Sequence, residues 1–252
     1  MKGKNNHEFA LFVPDLDKKN NLFNLTENSL LHRINTVLRL KKGDYLTLFN
    51  DTYHAQGTIS TTTKKTITFS ITTLETHQPL TPEIVVLAPL LKREAFDELV
   101  YSCRELGVSS LIVVTTQKNS RSTLSKAEWE RLERVSIAAA EQSKNFSPCV
   151  FLNKQKPIEY LEDVLKNPIF LKRYNSYTKY LANPDGSIFT KIAPSLQKDT
   201  RFLISFGSEA DFSLSEKNAL IQIGFTPLKL GSTVLRAQQA ATILIGLIRS
   251  CF

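Results

Sequence analysis

Two stretches near the C-terminal end of the chain decide its fold: FGSEADFSLSE at residues 206–216 and LGSTVLRAQQAA at residues 230–241. Each follows a short run, RFLISF or TPLKL, that is typical of a buried strand. Each also runs into a segment with the pattern of a helix, and Ser213 with Glu216 forms a capping box for the first helix. A strand, a short loop and a helix, repeated in this way, predict an α/β fold with a mostly parallel sheet.

The two loops also predict a ligand site. In open α/β sheets, ligands bind beyond the carboxyl ends of the strands, and Gly207 and Gly231 stand where the backbone must turn closely. We expect the two strand ends to be neighbours, so that main-chain groups of both loops clasp a planar ligand. Helix N-termini and Arg236 would add positive potential for an anionic substrate. The alternative is that the glycines only form turns and that Arg236 pairs with a carboxylate on a helix.

Upstream of these loops the same alternation continues back to residue 80. EIVVLAP and SSLIVVTT are apolar runs suited to buried strands, and between them apolar residues from Ala95 to Leu106 recur at helical spacing before Gly107. Ser125 and Glu128 form a second capping box before a long helix. Residues 151–198 carry the weakest pattern.

The first 79 residues have a different pattern. YLTLFN, HAQGTIS and KTITFSITTLE have the β-branched content of strands, and one short helix is predicted around ENSLLHRINTVLR. Pro79 and Pro82 mark the change. The sequence therefore predicts two domains, a β-rich domain at residues 1–79 and an α/β domain at residues 80–252.

The last helix, AQQAATILIGLIRSCF, is apolar nearly all round. Such a helix lies either deep in a core or at an interface with a second subunit. We favour the interface.

Composition excludes several classes of protein. The formal charge of the 252 residues is +8, which favours a polyanionic partner over a neutral one. The three cysteines and four histidines share no close spacing, so we expect neither disulfides nor a metal site, and a cytoplasmic location. No apolar run is long enough to span a membrane. The nine glycines include no GxG, which removes dinucleotide fingerprints and phosphate loops, and GxSxG is also missing.

Several ordered motifs resemble the RsmE-type 16S rRNA (uracil-N3)-methyltransferases of the SPOUT superfamily. HRINTVLRLKKGDYLTLFN resembles the family's H-x-x-x-V-L-R-x-x-x-G-D, and ELGV occurs as Glu105 to Val108. IAAAEQSKNFSPCV resembles its A-A-E-Q-S segment. FGSEADFSLSE resembles G-P-E-G-G-F-S-x-x-E, and LGSTVLRAQQAA resembles L-G-x-x-x-L-R-x-E-T-A.

This resemblance implies a small PUA-like β-rich N-terminal domain that docks rRNA, and a SPOUT-type α/β domain whose chain end forms a trefoil knot. It implies S-adenosyl-L-methionine as cofactor, 16S rRNA of the small ribosomal subunit as partner, and a homodimer, which we assign to the C-terminal helix. The third knot segment would be KYLANPDGS, with its strand ending at 181–183.

The resemblance also suggests roles for single residues. Arg236 would orient the RNA or its base and Glu209 would brace the knot, while no general base can be named. Cofactor contacts are expected from Leu181, Gly207, Ser208, Glu209, Leu230, Gly231, Val234, Leu235 and Arg236. RNA contacts are expected from His32, Arg33, Arg39, Lys41, Lys92, Gln142 and Lys144. The alternative for these basic and polar residues is a solvated surface.

The chain departs from the family pattern close to the expected pocket. Ala210 and Asp211 replace the family's Gly-Gly, and Ser208 replaces its Pro. Gln238 and Gln239 replace Glu and Thr. Other differences are Ser102 for Lys, Asn145 for Arg, and Arg33 for His. An active uracil-N3 methyltransferase is the first hypothesis; a weakened or inactive rRNA-binding protein of the same fold, or methylation of a different RNA nucleotide, remain alternatives.

Overall fold

The computed structural model describes residues 8–17, 21–119, 121–154, 156–197 and 199–252. The chain forms two compact units. The first unit contains Met1–Gln78 and Ala140–Ser147, and the second contains Pro79–Ala139 and Pro148–Phe252. The sequence predicted one boundary, at residue 79. The structure also assigns the short segment at 140–147 to the first unit.

The first unit contains a five-stranded sheet in the order β1-β3-β4-β5-β2. All neighbouring strands are antiparallel except β1 and β3, which are parallel. Alternate side chains of β4 are buried, as a sheet with one face against a core requires. The strands are β1 (Ala10–Phe12), β2 (Leu22–Leu25), β3 (Tyr45–Phe49), β4 (Tyr53–Thr62) and β5 (Ile67–Thr76).

The predicted helix of this unit is formed by α1 (Asn28–His32), which continues into a π-helical stretch at Arg33–Val37. The segment Ala140–Ser147 packs on the sheet of the same unit. The ring of Phe146 lies 4.6 Å from that of Phe49, centroid to centroid. Ala140 and Phe49 are both fully buried.

The second unit contains a six-stranded sheet in the order β11-β9-β10-β6-β7-β8, with every pair parallel. Because β9 lies between β10 and β11, the two strands that carry the FGSEADF and LGSTVLR loops are not neighbours; the expectation that they are adjacent was wrong. The strands are β6 (Ile84–Pro89), β7 (Ser110–Val114), β8 (Val150–Phe151), β9 (Thr178–Ile188), β10 (Phe202–Phe206) and β11 (Phe225–Lys229).

Helices cover both faces of this sheet, as a parallel sheet requires. Along β6, Ile84 and Val86 pack into one apolar cluster, and Val85 and Leu87 into another. The first cluster includes side chains of α2 (Arg93–Glu105), α3 (Lys126–Ser143) and α7 (Ala237–Arg249). The second includes those of α4 (Leu161–Lys166), α5 (Pro168–Tyr174) and α6 (Leu214–Gln222). Short 3-10 turns at Phe189–Lys191 and Ala193–Ser195 precede β10.

Both capping boxes that the sequence predicts are present. At the start of α6, the Ser213 hydroxyl accepts the backbone N–H of Glu216, and the Glu216 carboxylate accepts the N–H of Ser213. Ser125 and Glu128 exchange the same two hydrogen bonds in front of α3. Two orphan donors are satisfied at each helix start.

The last helix, α7, buries most of its apolar residues inside its own unit, among them Ala241, Leu244, Ile245 and Ile248. Its remaining face includes Ile243, which is 38% exposed. Within the described ranges, no helix is long and apolar enough to cross a bilayer.

Candidate functional site

A cavity of about 620 Å³ lies at the carboxyl ends of β6, β9, β10 and β11. Parallel strands end at the same edge of the sheet, so the residues that follow each of them converge. Four segments of the chain supply the walls. They are residues 182–184, where the pairing of β9 with β10 ends, residues 206–211 from the end of β10 onward, residues 228–240 from β11 into α7, and residues 92–98 at the start of α2.

A bulge in β9 forms one wall. Leu181 pairs with Pro227 of β11, but the next pair is Ser187 with Leu228, so residues 182–186 loop out of the ladder. The Asn183 side chain accepts the backbone N–H of Asp185 at 3.0 Å, which fixes the loop. A Cβ at Gly186 would overlap the backbone of Pro227, so only glycine fits at this position of the bulge.

The loop after β10 is a tight turn in which the Asp211 N–H donates to the carbonyl of Ser208 at 2.9 Å. Asp211 has φ 57°, in the left-handed region, where Asp is more tolerable than most residues with a side chain. Its carboxylate accepts the Phe212 N–H at 2.8 Å and pairs with the Lys217 ammonium at 2.6 Å. Asp211 therefore lines the cavity without closing it.

Ser208 and Glu209, at the same turn, have different environments. Ser208 is 8% exposed, and its hydroxyl has no hydrogen-bond partner among the described residues. The Glu209 carboxylate accepts the backbone N–H of Lys92 at 2.9 Å. Lys92 is the N-cap residue of α2, so Glu209 connects the loop after β10 to the start of that helix.

Residues from the loop after β7 hold the same turn from behind. The Lys118 ammonium donates to the carbonyls of Ala210 and Phe212, both at 3.2 Å. The backbone N–H of Gln117 donates to the buried carboxylate of Glu216 at 2.8 Å. Lys118 thereby fixes the turn at 207–212 and Gln117 fixes the start of α6, both from a loop that is distant in sequence.

The loop between β11 and α7 is the most exposed part of the cavity wall. Val234 is 84% exposed, and Arg236 is the N-cap residue of α7. Within the part of the chain that the structure describes, Arg236 makes no ion pair. Gln238 is buried, and its side-chain amide donates to Glu98 of α2 at 2.9 Å.

The charges of the cavity oppose the net charge of the chain. The whole protein carries +8. The cavity, in contrast, has more carboxylates than cations among its lining side chains. The carboxylates are Glu94, Glu98, Glu209 and Asp211, and the cations are Lys92 and Arg236. Such a lining favours a ligand that carries positive charge.

A second, more open groove of about 750 Å³ adjoins this cavity along α2 and α7. The two share three lining residues, Glu98, Leu235 and Gln238. The other residues of the groove are Tyr101, Val135 and Ile243 and the polar Asp97, Ser102, Gln239 and Thr242, and the surface that they expose to the groove is mostly apolar.

The structure brings most of the predicted cofactor residues together. Leu181 does not line the cavity: its side chain is buried in the apolar cluster on the other face of the sheet, because side chains alternate along β9. Those that line the cavity are Gly207, Ser208, Glu209, Leu230, Gly231, Val234, Leu235 and Arg236. Their roles stay predictions.

The residues predicted to bind RNA fall into two groups. Lys92 lines the cavity of the second unit. His32, Arg39, Lys41 and Gln142 are exposed in the first unit, together with Arg33 and Lys144, which are half-buried. RNA contact by these residues stays a prediction.

Arg33 and Lys144 have partners inside the first unit. Both terminal nitrogens of Arg33 donate to the Glu141 carboxylate, at 2.9 and 2.6 Å. The Lys144 ammonium donates to the carbonyl of Glu141, and burial lowers the pKa of Lys144. Arg33, at the family's His position, therefore stabilises the segment at 140–147.

Several wall residues were not anticipated as site residues. Asn183-Pro184-Asp185-Gly186 has the composition of a turn, which could have indicated the bulge of β9. Lys118, which supports the wall without lining the cavity, lies two residues after the SSLIVVTT run, and the rule that sites form after strand ends could have found it. Nothing in the sequence pairs Glu98 with Gln238. Among the described residues, no cluster of three His, Cys, Asp or Glu side chains could hold a metal ion.

Known proteins resemble the chain over most of its length. Two curated relatives are named Ribosomal RNA small subunit methyltransferase E: that of Buchnera aphidicola subsp. Schizaphis graminum is 29% identical over 225 residues, covering 86% of each chain, and that of Rickettsia conorii is 28% identical, covering 92% of this chain and 91% of its own. A crystal structure of the Neisseria gonorrhoeae protein of that name, bound to S-adenosyl methionine, superimposes with a TM-score of 0.77 at 19% identity and covers 97% of this chain and 98% of its own.

The superposition on this crystal structure shows that the two chains share a fold. The profile of the RNA methyltransferase domain family matches residues 77–249, which is well over half of the chain. This span contains every wall of the cavity. The chain therefore belongs to the RNA methyltransferase domain family.

Proposed function

We propose that this chain transfers a methyl group from S-adenosyl-L-methionine to N3 of a uridine in 16S rRNA of the small ribosomal subunit. The observation that carries the proposal is the open cavity at the carboxyl ends of four parallel strands, whose walls are the loops that resemble the RsmE-type motifs. The names of the curated relatives support the substrate.

The residues of the cavity fit this cofactor. Its volume of about 620 Å³ is in the usual range of small-molecule sites. The turns at 207–209 and 230–235 offer backbone groups to an adenosyl ligand. When bound, the cofactor supplies a methyl group activated by a positively charged sulfur, and the carboxylate-rich lining suits the charge of that group and of the ammonium.

Two side chains have roles that follow from their contacts. Arg236, without an ion-pair partner among the described residues, is available to orient a phosphate or a base carbonyl of the RNA. Glu209 acts as a positioning residue, because its bond to the Lys92 N–H fixes the start of α2 against the turn at 207–212. Positioning and electrostatic preorganisation supply most of the acceleration in such a transfer.

The remaining parts of the proposal concern the fold. We infer that the chain end forms a trefoil knot around the bulge of β9; support comes from β11, which lies beyond β9 in the sheet.

The β-rich unit would be PUA-like and would dock rRNA through Arg39 and Lys41. On this view the first unit, residues 1–78 with 140–147, is the docking domain, and the second unit, residues 79–139 with 148–252, is the transferase domain. Two buried free thiols, Cys103 and Cys149, support a cytoplasmic location.

A homodimer through α7 is also proposed. The exposed side of α7 and the adjoining apolar groove supply the surface. Ile243→Glu should shift the protein to a monomer in analytical ultracentrifugation, because a charge cannot be buried at an apolar interface without a large cost. Ile221→Glu, at an exposed position of α6, should leave the oligomeric state unchanged.

The experiment that tests the function is the comparison of 16S rRNA from a strain with and without this gene. The rRNA of the deletion strain should lack one N3-methyluridine, and the gene should restore it. Arg236→Ala should restore it poorly. A modified position that contains another base would support the alternative of a different nucleotide.

An inactive rRNA-binding protein is the other alternative. The replacements that motivate it are Ala210, Asp211, Gln238 and Gln239; of these, Asp211 is held by Lys217 and Phe212 and leaves the cavity open. This observation favours the active enzyme. Calorimetry with S-adenosyl-L-methionine separates the two, since absence of binding at millimolar ligand would support the inactive protein.

A further inference from the structure

The proposed function assigns no role to the hydrogen bond between Glu98 and Gln238. Gln238 lies in the last motif, where the family resemblance expects Glu. Its side-chain amide donates to Glu98 Oε2 at 2.9 Å. A carboxylate is thus present beside position 238, but α2 supplies it instead of α7.

The pair lies where the two cavities meet. Glu98 and Gln238 line both the cavity at the strand ends and the adjoining groove along α2 and α7. Glu98 is exposed. Of its two carboxylate oxygens, Oε2 has a hydrogen-bond partner among the described residues and Oε1 has none. Oε1 is therefore available to accept a hydrogen bond from a molecule in either cavity.

The donors and acceptors of the pair match one edge of uracil. The amide of Gln238 has two N–H groups, of which one is used by Glu98, and an ionised carboxylate only accepts. Uracil presents a carbonyl oxygen beside the N3–H, so the free amide N–H can donate to the carbonyl while Glu98 Oε1 accepts the N3–H. Cytosine has no hydrogen at N3 and has an amino group beside it, so the same pair would reject it.

From this arrangement we propose that Glu98, oriented by Gln238, is the group that recognises the uracil N3–H and removes its proton. The inference rests on the proposed function. The N3–H bond breaks, the proton passes to Glu98 Oε1, and N3 keeps the electron pair. N3 then bonds to the methyl carbon of the sulfonium donor, and the carbon–sulfur pair returns to sulfur. Glu98 afterwards loses its proton to water.

Other ionisable groups line the same space, and their contacts separate them from this role. Asp97 pairs with Arg131, Asp211 with Lys217, and Glu209 accepts the Lys92 N–H. Glu94 and Arg236 line the first cavity but not the groove, and Tyr101 lines the groove but not the first cavity. Glu98 is the carboxylate shared by both spaces among the described residues.

The test compares the wild type, Glu98→Gln, and the exchange of Glu98→Gln with Gln238→Glu. Small ribosomal subunits from a strain lacking the gene are the substrate, and Glu130→Gln on α3 is the control. Glu98→Gln should slow formation of N3-methyluridine on the order of 10²- to 10⁴-fold, the usual contribution of a general base. The exchange, which returns the carboxylate to α7, should recover most of the loss.

Two further measurements distinguish proton removal from a structural role. The residual rate of Glu98→Gln should rise with pH as more N3 ionises in solution, and it should rise when the RNA contains 5-fluorouridine, whose N3–H is more acidic. In calorimetry, Glu98→Gln should bind S-adenosylhomocysteine as tightly as the wild type does.

Each contrary result has a definite meaning. A Glu98→Gln variant with the wild-type rate, with a slow rate that neither pH nor 5-fluorouridine raises, or with a matching loss of S-adenosylhomocysteine binding would overturn the assignment while leaving the proposed function intact. A wild type that forms no N3-methyluridine would overturn the proposed function, and the assignment with it.

Discussion

Gly207 and Gly231 follow equivalent strand ends, yet their surroundings differ. A Cβ at Gly207 would overlap Asp211 Oδ1 and lie 3.1 Å from the Asp211 Cα, whereas a Cβ at Gly231 has no atom within 4 Å. The sequence indicated a turn at both positions. It could not indicate that only Gly207 is confined, because the confining atoms belong to Asp211, where the family has glycine.

Gly207→Ala should therefore weaken binding of S-adenosyl-L-methionine by roughly tenfold or more, equal to about 1.4 kcal/mol, because the turn at 207–212 must shift. Gly231→Ala should change the affinity little. Calorimetry measures both. Adding Asp211→Gly to Gly207→Ala should recover part of the loss, and equal effects of the two single alanines would contradict the steric explanation.

Ser208 allows a prediction about stability. Its hydroxyl is buried without a partner among the described residues, and leaving such a group unpaired costs about 1–3 kcal/mol. Ser208→Ala should raise the free energy of unfolding by about 1 kcal/mol in urea titrations. Ser213→Ala, which removes the N-cap of α6, should lower it by about 1 kcal/mol. A loss of stability in both variants would show that the Ser208 hydroxyl has a partner in solution.

Helices and their starts were the most predictable elements. Capping boxes, apolar spacing and stop glycines such as Gly107 and Gly224 are local signals, and the structure has α2, α3, α6 and α7 where these signals lie. The bulge of β9 was not predictable, since its register depends on β11, about 40 residues further along. The same holds for Lys118, whose partners are carbonyls of a distant turn.

The capping box of α3 makes part of the stability depend on pH. Hydrogen bonds from Ser125 and the neighbouring Arg121 lower the pKa of Glu128 from 4.5 to about 2. A carboxylate whose pKa is lowered by folding stabilises the fold above its unfolded pKa, and this contribution is lost as the pH falls from 4.5 towards 2. Above that window the contribution is fully present.

Glu128→Gln should therefore be less stable than the wild type at neutral pH, and the difference should shrink once the pH falls below 4.5. Urea unfolding at a series of pH values measures it. Glu130→Gln, an exposed neighbour in an i,i+4 pair with Lys126, is the control and should show a small difference. A difference for Glu128→Gln that stays constant through the acid range would mean that its pKa is not lowered.

The two compact units do not follow the chain in simple order. A cut at residue 79 is what the change of pattern and the two prolines indicate, and most of the first unit does end at Gln78. The segment at 140–147 was missed because α3 is one uninterrupted helical pattern, and nothing in a helical pattern states which unit its last turn joins. The apolar residues Ala140 and Phe146, taken alone, are indistinguishable from core residues of the second unit.

This assignment predicts how a fragment of residues 79–252 would behave. In the full chain, Ala140 is fully buried and Phe146 lies 4.6 Å from Phe49 and 5.2 Å from His54, ring to ring, so the partners of this segment come from residues 8–78. Without those partners the segment cannot bury its apolar groups, and the free energy that holds it is lost. Amide hydrogen exchange of the fragment should show rapid exchange across residues 140–147, while β6 and β7, buried between two helical layers, stay protected. The full-length protein under the same conditions is the control. Equal protection of the segment in both proteins would place it in the second unit and restore the simpler division of the chain at residue 79.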